Sequence, residues 1–219
     1  MATVEIYLVR HGQTYLNKYN RIQGWSDSPL TEKGIADAQN AGKRLAKVPF
    51  AAAYASDTTR ASNTAKEILA RNVSALDQPT IMPAFREENF GFFEGLDTSF
   101  TWHTLGSPMG LDDFNQMIAS LTIEKTKDLF KANDPYGDAE DNQEYWARLQ
   151  PGLDHVVATA SDGDRVLIAT HSTTIRSIVS KFSDVDVSVP VANGSITKLT
   201  VTDGEYRVDD YNNTEGPIA

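Results

Sequence analysis

Two stretches of the chain switch from an apolar run to a polar turn in the same way. Val4-Glu5-Ile6-Tyr7-Leu8-Val9 and Arg165-Val166-Leu167-Ile168-Ala169-Thr170 are short and rich in branched or aromatic side chains, a pattern that predicts strands. Each run ends at a histidine, His11 in the first case and His171 in the second. Beyond His171, Ile175, Ile178 and Val179 fall at i, i+3 and i+4, so the spacing predicts strand, tight turn, helix. If both strands are inner members of a parallel sheet, both histidines emerge at its carboxyl edge. Helix N-termini there offer unpaired N–H groups and a partial positive charge to an anion.

Between these strands the periodicity is mostly helical. Thr31 is the predicted N-cap of a helix reaching about Lys47, with Ile35, Ala38, Gly42 and Leu45 as its apolar stripe. Phe50 to Ala55 reads as a short strand. Ser56 or Asp57 then caps a helix carrying Ala61, Ala65, Ile68 and Leu69. Arg60 in its first turn opposes the helix dipole unless an anion compensates it, with an Asp57 pair or solvent exposure as the plainer alternatives. Ile81 to Phe85 reads as extended, and Leu111, Phe114, Ile118 and Leu121 fit a helix approached irregularly through Gly106, Pro108 and Gly110. A further helix from near Asp138 carries Tyr145, Trp146 and Leu149, with Pro151 as either a kink or an end. The tail from Gly194 to Tyr211 reads as a hairpin turning at Asp203-Gly204, and Asn212 to Ala219 as a frayed end.

Composition narrows the chemistry. The chain has 219 residues and no cysteine, which removes disulfides, thiolate nucleophiles and Cys-rich metal sites. Its length suits one domain, 1–219. No leader segment or long apolar span is evident, so a cytoplasmic location is expected, with no membrane partner. The formal charge of −10 is uneven: residues 1–60 hold eight basic and five acidic side chains, a net of +3, leaving −13 elsewhere. An anionic ligand therefore belongs to the first quarter of the chain, and nucleic acid is not an expected partner.

Four histidines occur, His11, His103, His155 and His171, and the two that follow strands concentrate the chemical interest. Imidazole offers a nitrogen lone pair near neutral pH. Arg10 supplies a planar donor fork suited to phosphoryl oxygens, and Gly12 lets backbone N–H groups approach the same oxygens. With Asn17, Arg21 and Arg60, these residues read as an oxyanion cradle. His155 reads as structural. Trp25, Phe92, Phe93, Phe100, Trp102 and His103 are possible walls of a substrate cleft or parts of a satellite core.

Leu8-Val9-Arg10-His11-Gly12-Gln13-Thr14, followed by Asn17, Arg21-Ile22-Gln23-Gly24, Asp27-Ser28-Pro29-Leu30-Thr31 and Gly34, resembles the signature of the histidine phosphatase superfamily, in the branch of phosphoglycerate mutases and their phosphatase relatives. Ser56-Asp57 with Thr59-Arg60-Ala61, Glu87 ahead of Gly91 and Glu94-Gly95-Leu96, and His171 after its strand resemble the later motifs. The resemblance implies an α/β fold, a three-layer α/β/α sandwich on a mostly parallel sheet, with a largely helical insertion at about 96–150 over the active-site edge. It implies transfer through a phosphohistidine on His11, with Arg10, Arg60 and His171 gripping the phosphoryl oxygens. Glu87 is the implied proton donor and later base, Glu88 being its rival for that place. Gly12, Asn17, Arg21, Gln23, Gly24 and Ser172 are the implied substrate-binding residues, with no metal and no cofactor.

Glycolytic mutases of this family carry a basic stretch after the glutamate motif. Asp97 to Asp113 holds no Lys or Arg here, so hydrolysis of a small phosphorylated metabolite is expected, by a monomer or homodimer. The alternatives are a mutase-type transferase, a non-catalytic phosphate-binding regulator, and a metallohydrolase built on His11, His171, Glu87 and His103.

Overall fold

The computed structural model describes residues 2–216 and 218. A six-stranded sheet runs in the order β3-β2-β4-β1-β5-β6, with β1 Thr3–Arg10, β2 Ala52–Ala55, β3 Thr80–Ile81, β4 Arg165–Thr170, β5 Ile196–Thr202 and β6 Glu205–Asn213. The first four are parallel, and β5 and β6 add an antiparallel edge. The predicted sheet class holds.

Period-two alternation sorts β1 between two cores. Val4, Ile6 and Leu8 join Val166 and Ile168 beneath α7 (Asn142–Thr159) and α8 (Ser172–Phe182). Tyr7 and Val9 join Leu167 on the opposite face beneath α2 (Glu32–Arg44) and α3 (Thr59–Leu69). Helices therefore cover both faces, as a sheet buried on each side requires.

Thr31 caps α2 through the N–H of Gly34, as expected, but the helix stops at Arg44; of its predicted stripe Ala38, Gly42 and Leu45 are buried and Ile35 is not. Ile35 is exposed, while Gly34, Ala38, Ala41 and Gly42 are buried. Small residues win because α2 lies close against α3: a Cβ on Gly42 would sit 3.1 Å from the Ile68 Cα. The cap of α3 is Thr58, not Ser56 or Asp57, and Thr58 makes no side-chain cap. A carboxylate from elsewhere does that work, since Asp27 Oδ2 accepts the Thr59 N–H at 2.6 Å.

Residues 81–85 are extended only at Thr80–Ile81; Pro83–Phe85 form a 3-10 turn. Three helices follow, the short α4 (Thr98–Gly106), α5 (Phe114–Leu121) and α6 (Ile123–Asn133), around a core of their own built on Phe90, Phe93, Trp102, Met117 and Phe130. Pro151 neither ends nor divides α7. The β5–β6 hairpin turns at Asp203 and Gly204, both at positive φ. It continues through Asn213, further than the frayed tail expected from residue 212; Pro217 and Ala219 lie outside the described residues. Among the described residues no helix is long and apolar enough to cross a membrane.

Candidate active site

Parallel pairing of β1 with β4 sets Arg10 opposite Thr170, so His11 and His171 leave neighbouring strand ends side by side. The His11 N–H donates to the Thr170 carbonyl at 2.9 Å. His11 is 3% exposed and His171 0%, and their ring centroids stand 5.2 Å apart. Nδ1 of His11 lies 2.8 Å from the Gly12 carbonyl oxygen, which can only accept, so the ring proton sits on Nδ1 and Nε2 keeps its lone pair. Burial, with Arg60 and Arg10 nearby, pushes His11 well below the usual histidine value. Its imidazole is therefore neutral at physiological pH.

His171 is also pushed far down, by burial first and then by Arg60. Its Nε2 lies 2.8 Å from Ser56 Oγ, while Nδ1 is buried without a hydrogen-bond partner. Ser56 Oγ accepts from the Thr58 N–H, leaving its own proton for His171 or Thr58 Oγ1. When that proton goes to His171 Nε2, Nδ1 becomes a donor with nothing yet to donate to.

Arg10 lines the cavity and donates through Nη1 to the Val191 carbonyl, and its buried Nε is unpaired. Burial lowers it to about 10, still cationic near pH 7. Arg60 is fully buried. It donates to the Ser26 carbonyl (2.8 Å), to Asp27 Oδ1 (3.0 Å) and to the Gly24 carbonyl (2.6 Å). Its anionic partner is therefore Asp27. Asp57, the partner weighed from sequence, is held by Arg86 Nε at 2.7 Å. Arg60 and His171 stand behind the lining residues, and Arg60 Nε is unpaired.

Glu87 reaches the cavity from the loop before Gly91. Its Oε2 accepts from the Thr173 N–H (2.9 Å), and its Oε1 from the N–H groups of Thr174 (3.1 Å) and Glu88 (3.1 Å). The carboxyl thus sits on the N-terminus of α8, where the unpaired donors of a helix favour an anion. Burial outweighs them and leaves Glu87 raised above the usual carboxylate value. Arg148 fastens this loop: it grips Glu140 through Nε (2.9 Å) and Nη2 (2.8 Å) and donates to the carbonyls of Ala84, Arg86 and Glu87. Glu88, the rival, is turned away from the cavity, buried with neither carboxyl oxygen hydrogen-bonded.

A cavity of about 530 Å³ opens over these groups. Asn17, Arg21, Gln23 and Ser172 line it, as do Arg10, His11 and Glu87. At the start of α1 (Tyr15–Lys18) Asn17 spends its Oδ1 on the Thr14 N–H in a capping box, which leaves its NH₂ unused.

Gly12 and Gly24 do not line the cavity, contrary to the sequence reading. The Gly12 N–H donates to Thr64 Oγ1 (3.1 Å), and a Cβ there would run into the Gly34 carbonyl oxygen. The Gly24 N–H donates to Glu94 Oε2 (3.0 Å), and a Cβ there would strike the Glu88 carbonyl oxygen. Both glycines are required by close backbone packing.

Of the aromatic candidates only Trp102 lines the cavity. Trp25 covers Arg86 at 4.4 Å, Phe93 belongs to the satellite core, and Phe92 and Phe100 are exposed. His103 is an exposed neighbour of Asp112, and His155 packs edge-on to Tyr54. Among the described residues no three His, Asp or Glu side chains are grouped to hold a metal ion.

Arg176 is a lining residue absent from the sequence reading. It donates through Nε to the Val187 carbonyl (2.7 Å) and through Nη2 to Asn115 Oδ1 (2.6 Å). Its position four residues after Ser172, on one face of α8, was the available signal.

Comparison with known proteins extends over nearly the whole chain. Residues 6–214 match the histidine phosphatase superfamily (branch 1). Over 201 residues the chain is 30% identical to 2,3-bisphosphoglycerate-dependent phosphoglycerate mutase 2 of Gloeobacter violaceus, covering 85% of this chain and 84% of that one. It is 33% identical to phosphoglycerate mutase from Bacillus anthracis str. Sterne, with a TM-score of 0.87 over 97% of this chain and 94% of that structure. A mycobacterial glucosyl-3-phosphoglycerate phosphatase in complex with VO3 has the same fold, at 24% identity and a TM-score of 0.69 over 95% of this chain and 98% of that one.

Proposed function

The chain belongs to the histidine phosphatase superfamily, branch 1, and from that premise we propose that it is a metal-independent phosphomonoester hydrolase acting through a phosphohistidine on small phosphorylated metabolites. One observation carries the reading: His11 has its proton pinned on Nδ1 by the Gly12 carbonyl, in a cavity shared with the carboxyl of Glu87.

In the first step Nε2 of His11 attacks phosphorus and the bond to the ester oxygen breaks. Phosphoryl transfer needs mostly positioning and neutralisation of charge on three equatorial oxygens. Arg10 and Arg60 supply that charge, and His171 Nδ1 supplies a neutral donor. Glu87 gives its proton to the departing alkoxide, from the Oε2 atom that carries fewer donors than Oε1. In the second step Glu87, now ionised, takes a proton from water as the oxygen attacks phosphorus, the N–P bond breaks, and phosphate leaves.

Relatives named as mutases favour a second reading, transfer to an acceptor alcohol. A mutase must hold a bisphosphorylated intermediate, which calls for cations on the outer wall. Of the cavity lining, residues 97–113 contribute Thr98, Ser99, Trp102, Asp112 and Asp113, two carboxylates and no cation, beside Arg10, Arg21 and Arg176 from other segments. The lack of a cation in that stretch supports hydrolysis. The test is phosphate release from a panel of phosphorylated metabolites without added metal, beside a mutase assay with and without a bisphosphorylated primer. Release exceeding transfer upholds the reading; primer-dependent transfer faster than release replaces it with the mutase.

A further inference from the structure

Behind Glu87 lies a pair of buried hydroxyls that the reaction as described does not use. The Tyr145 OH, on α7, donates to Thr174 Oγ1, on α8, at 2.9 Å. Thr174 Oγ1 stands 3.1 Å from the Arg86 carbonyl oxygen and 3.3 Å from Glu87 Oε1. Both residues are fully buried. A threonine hydroxyl has one proton, and here it faces two acceptors. Burial and the nearby Glu87 charge push the Tyr145 phenol well above its usual value, so it remains a donor throughout the working range.

We propose that Thr174, anchored by Tyr145, is a positioning residue whose hydroxyl proton turns to Glu87 Oε1 when that carboxyl is ionised and back to the Arg86 carbonyl when it is protonated. The inference rests on the acid–base cycle assigned to Glu87 above. An ionised oxygen is the stronger acceptor, whereas a neutral carboxyl competes poorly with a backbone carbonyl. Tyr145 keeps one Thr174 lone pair occupied in both states, so the hydroxyl moves by rotation alone and neither state leaves a buried acceptor empty. The backbone N–H groups of Thr174 and Glu88, which stay on Oε1 in both states, leave the exchangeable proton to Oε2.

The other charges around Glu87 are set by different elements. Arg10 comes from β1 and Arg60 from α3, both favouring ionisation. Lys127 of α6 and Glu88 oppose each other across the same region, while Arg148 of α7 holds the Glu87 carbonyl and Arg176 lies further along α8. The neighbouring imidazoles of His11 and His171 are neutral. None of these groups is altered by removing the Thr174 hydroxyl.

The experiment follows the Glu87 carboxyl directly, by carbon NMR of protein labelled at the glutamate side-chain carboxyl and assigned with Glu87→Gln. Thr174→Val removes a donor to the ionised form, so the titration should move upward by about one pH unit. Thr174→Ser should restore it. Tyr145→Phe, which deletes one oxygen, should move it the same way by less and serves if Thr174→Val fails to fold. An unmoved titration in Thr174→Val and Tyr145→Phe, or a Thr174→Ser protein displaced as far as Thr174→Val, overturns the proposal. Because the readout needs no turnover, a shifted titration in a protein without phosphatase activity would uphold the relay and reject the hydrolase reading.

Discussion

The imidazole rings of His11 and His171 meet edge to face, centroids 5.2 Å apart and planes at 62°, although 160 residues separate them in the chain. Each ring has one nitrogen held by the protein, His11 Nδ1 by a carbonyl and His171 Nε2 by a serine hydroxyl. His171 Nδ1 has no hydrogen-bond partner, and His11 lines the cavity. One ring thereby keeps a lone pair and the other can present a proton, the division of labour on which the proposed phosphoryl transfer relies.

His11→Ala should lower hydrolysis of an aryl phosphate by at least about a thousandfold, as loss of a covalent nucleophile does. It should also abolish the acid-labile phosphate trapped on wild-type protein by rapid acid quench. Chelator should leave wild-type turnover unchanged. Phosphate still trapped on the variant would put the nucleophile elsewhere.

The pH profile follows from two opposite displacements. His11 lies well below the usual histidine value, so the neutral nucleophile persists into mildly acidic solution. Glu87 lies above the usual carboxylate value, and its acidic form is lost as pH rises through that raised value. With alkyl phosphates kcat should therefore hold on the acid side and fall toward alkaline pH. Glu87→Gln should erase the fall and slow alkyl phosphates far more than aryl phosphates, whose leaving groups need no proton. Equal losses on both substrates would remove Glu87 from the proton-donor role.

Ser56→Ala tests the tautomer of His171. Without the hydroxyl, Nε2 is buried and unpaired, at a cost of about 1–3 kcal/mol, and the ring proton is free to move there. Nitrogen NMR should show wild-type His171 protonated on Nδ1, and the variant should lose that preference together with about tenfold in kcat. A wild-type ring protonated on Nε2 would mean that Ser56 accepts from it and that Nδ1 presents no proton to a phosphoryl oxygen.

Glu88 should make stability depend on pH. Burial, with neither oxygen hydrogen-bonded, raises it well above the usual carboxylate value, even with Lys127 pulling the other way. A raised carboxyl stabilises the fold fully below its unfolded value, and that contribution is lost as pH rises toward the folded value. Glu88→Gln should thus raise Tm at pH 8 more than at pH 5. An equal change at both, by thermal denaturation, would show that Glu88 is ionised in the fold.

Much of this architecture was legible before any contact was known. The two strand-to-histidine runs, the Thr31 cap and the Asp203-Gly204 hairpin follow from local periodicity and turn chemistry, which neighbours in the chain dictate. In α2 hydropathy predicts a buried Ile35, whereas the close approach to α3 favours small residues such as Gly42. The cap of α3 lies beyond local reading because its carboxylate comes from Asp27, 32 residues earlier than the Thr59 N–H it accepts.

The residue types gathered at the site were already apparent in the chain: a pair of histidines, a guanidinium beside one of them, and a glutamate in a loop. Which of them face the cavity, and which stand behind it, followed from packing alone. Gly12 and Gly24 turned out to serve backbone contacts, Arg60 to be tied to Asp27, Arg176 to reach the cavity, and Thr174 to stand between Tyr145 and Glu87. Such pairings depend on desolvation and on donors and acceptors brought together from distant segments, and those quantities exist only once the chain has folded.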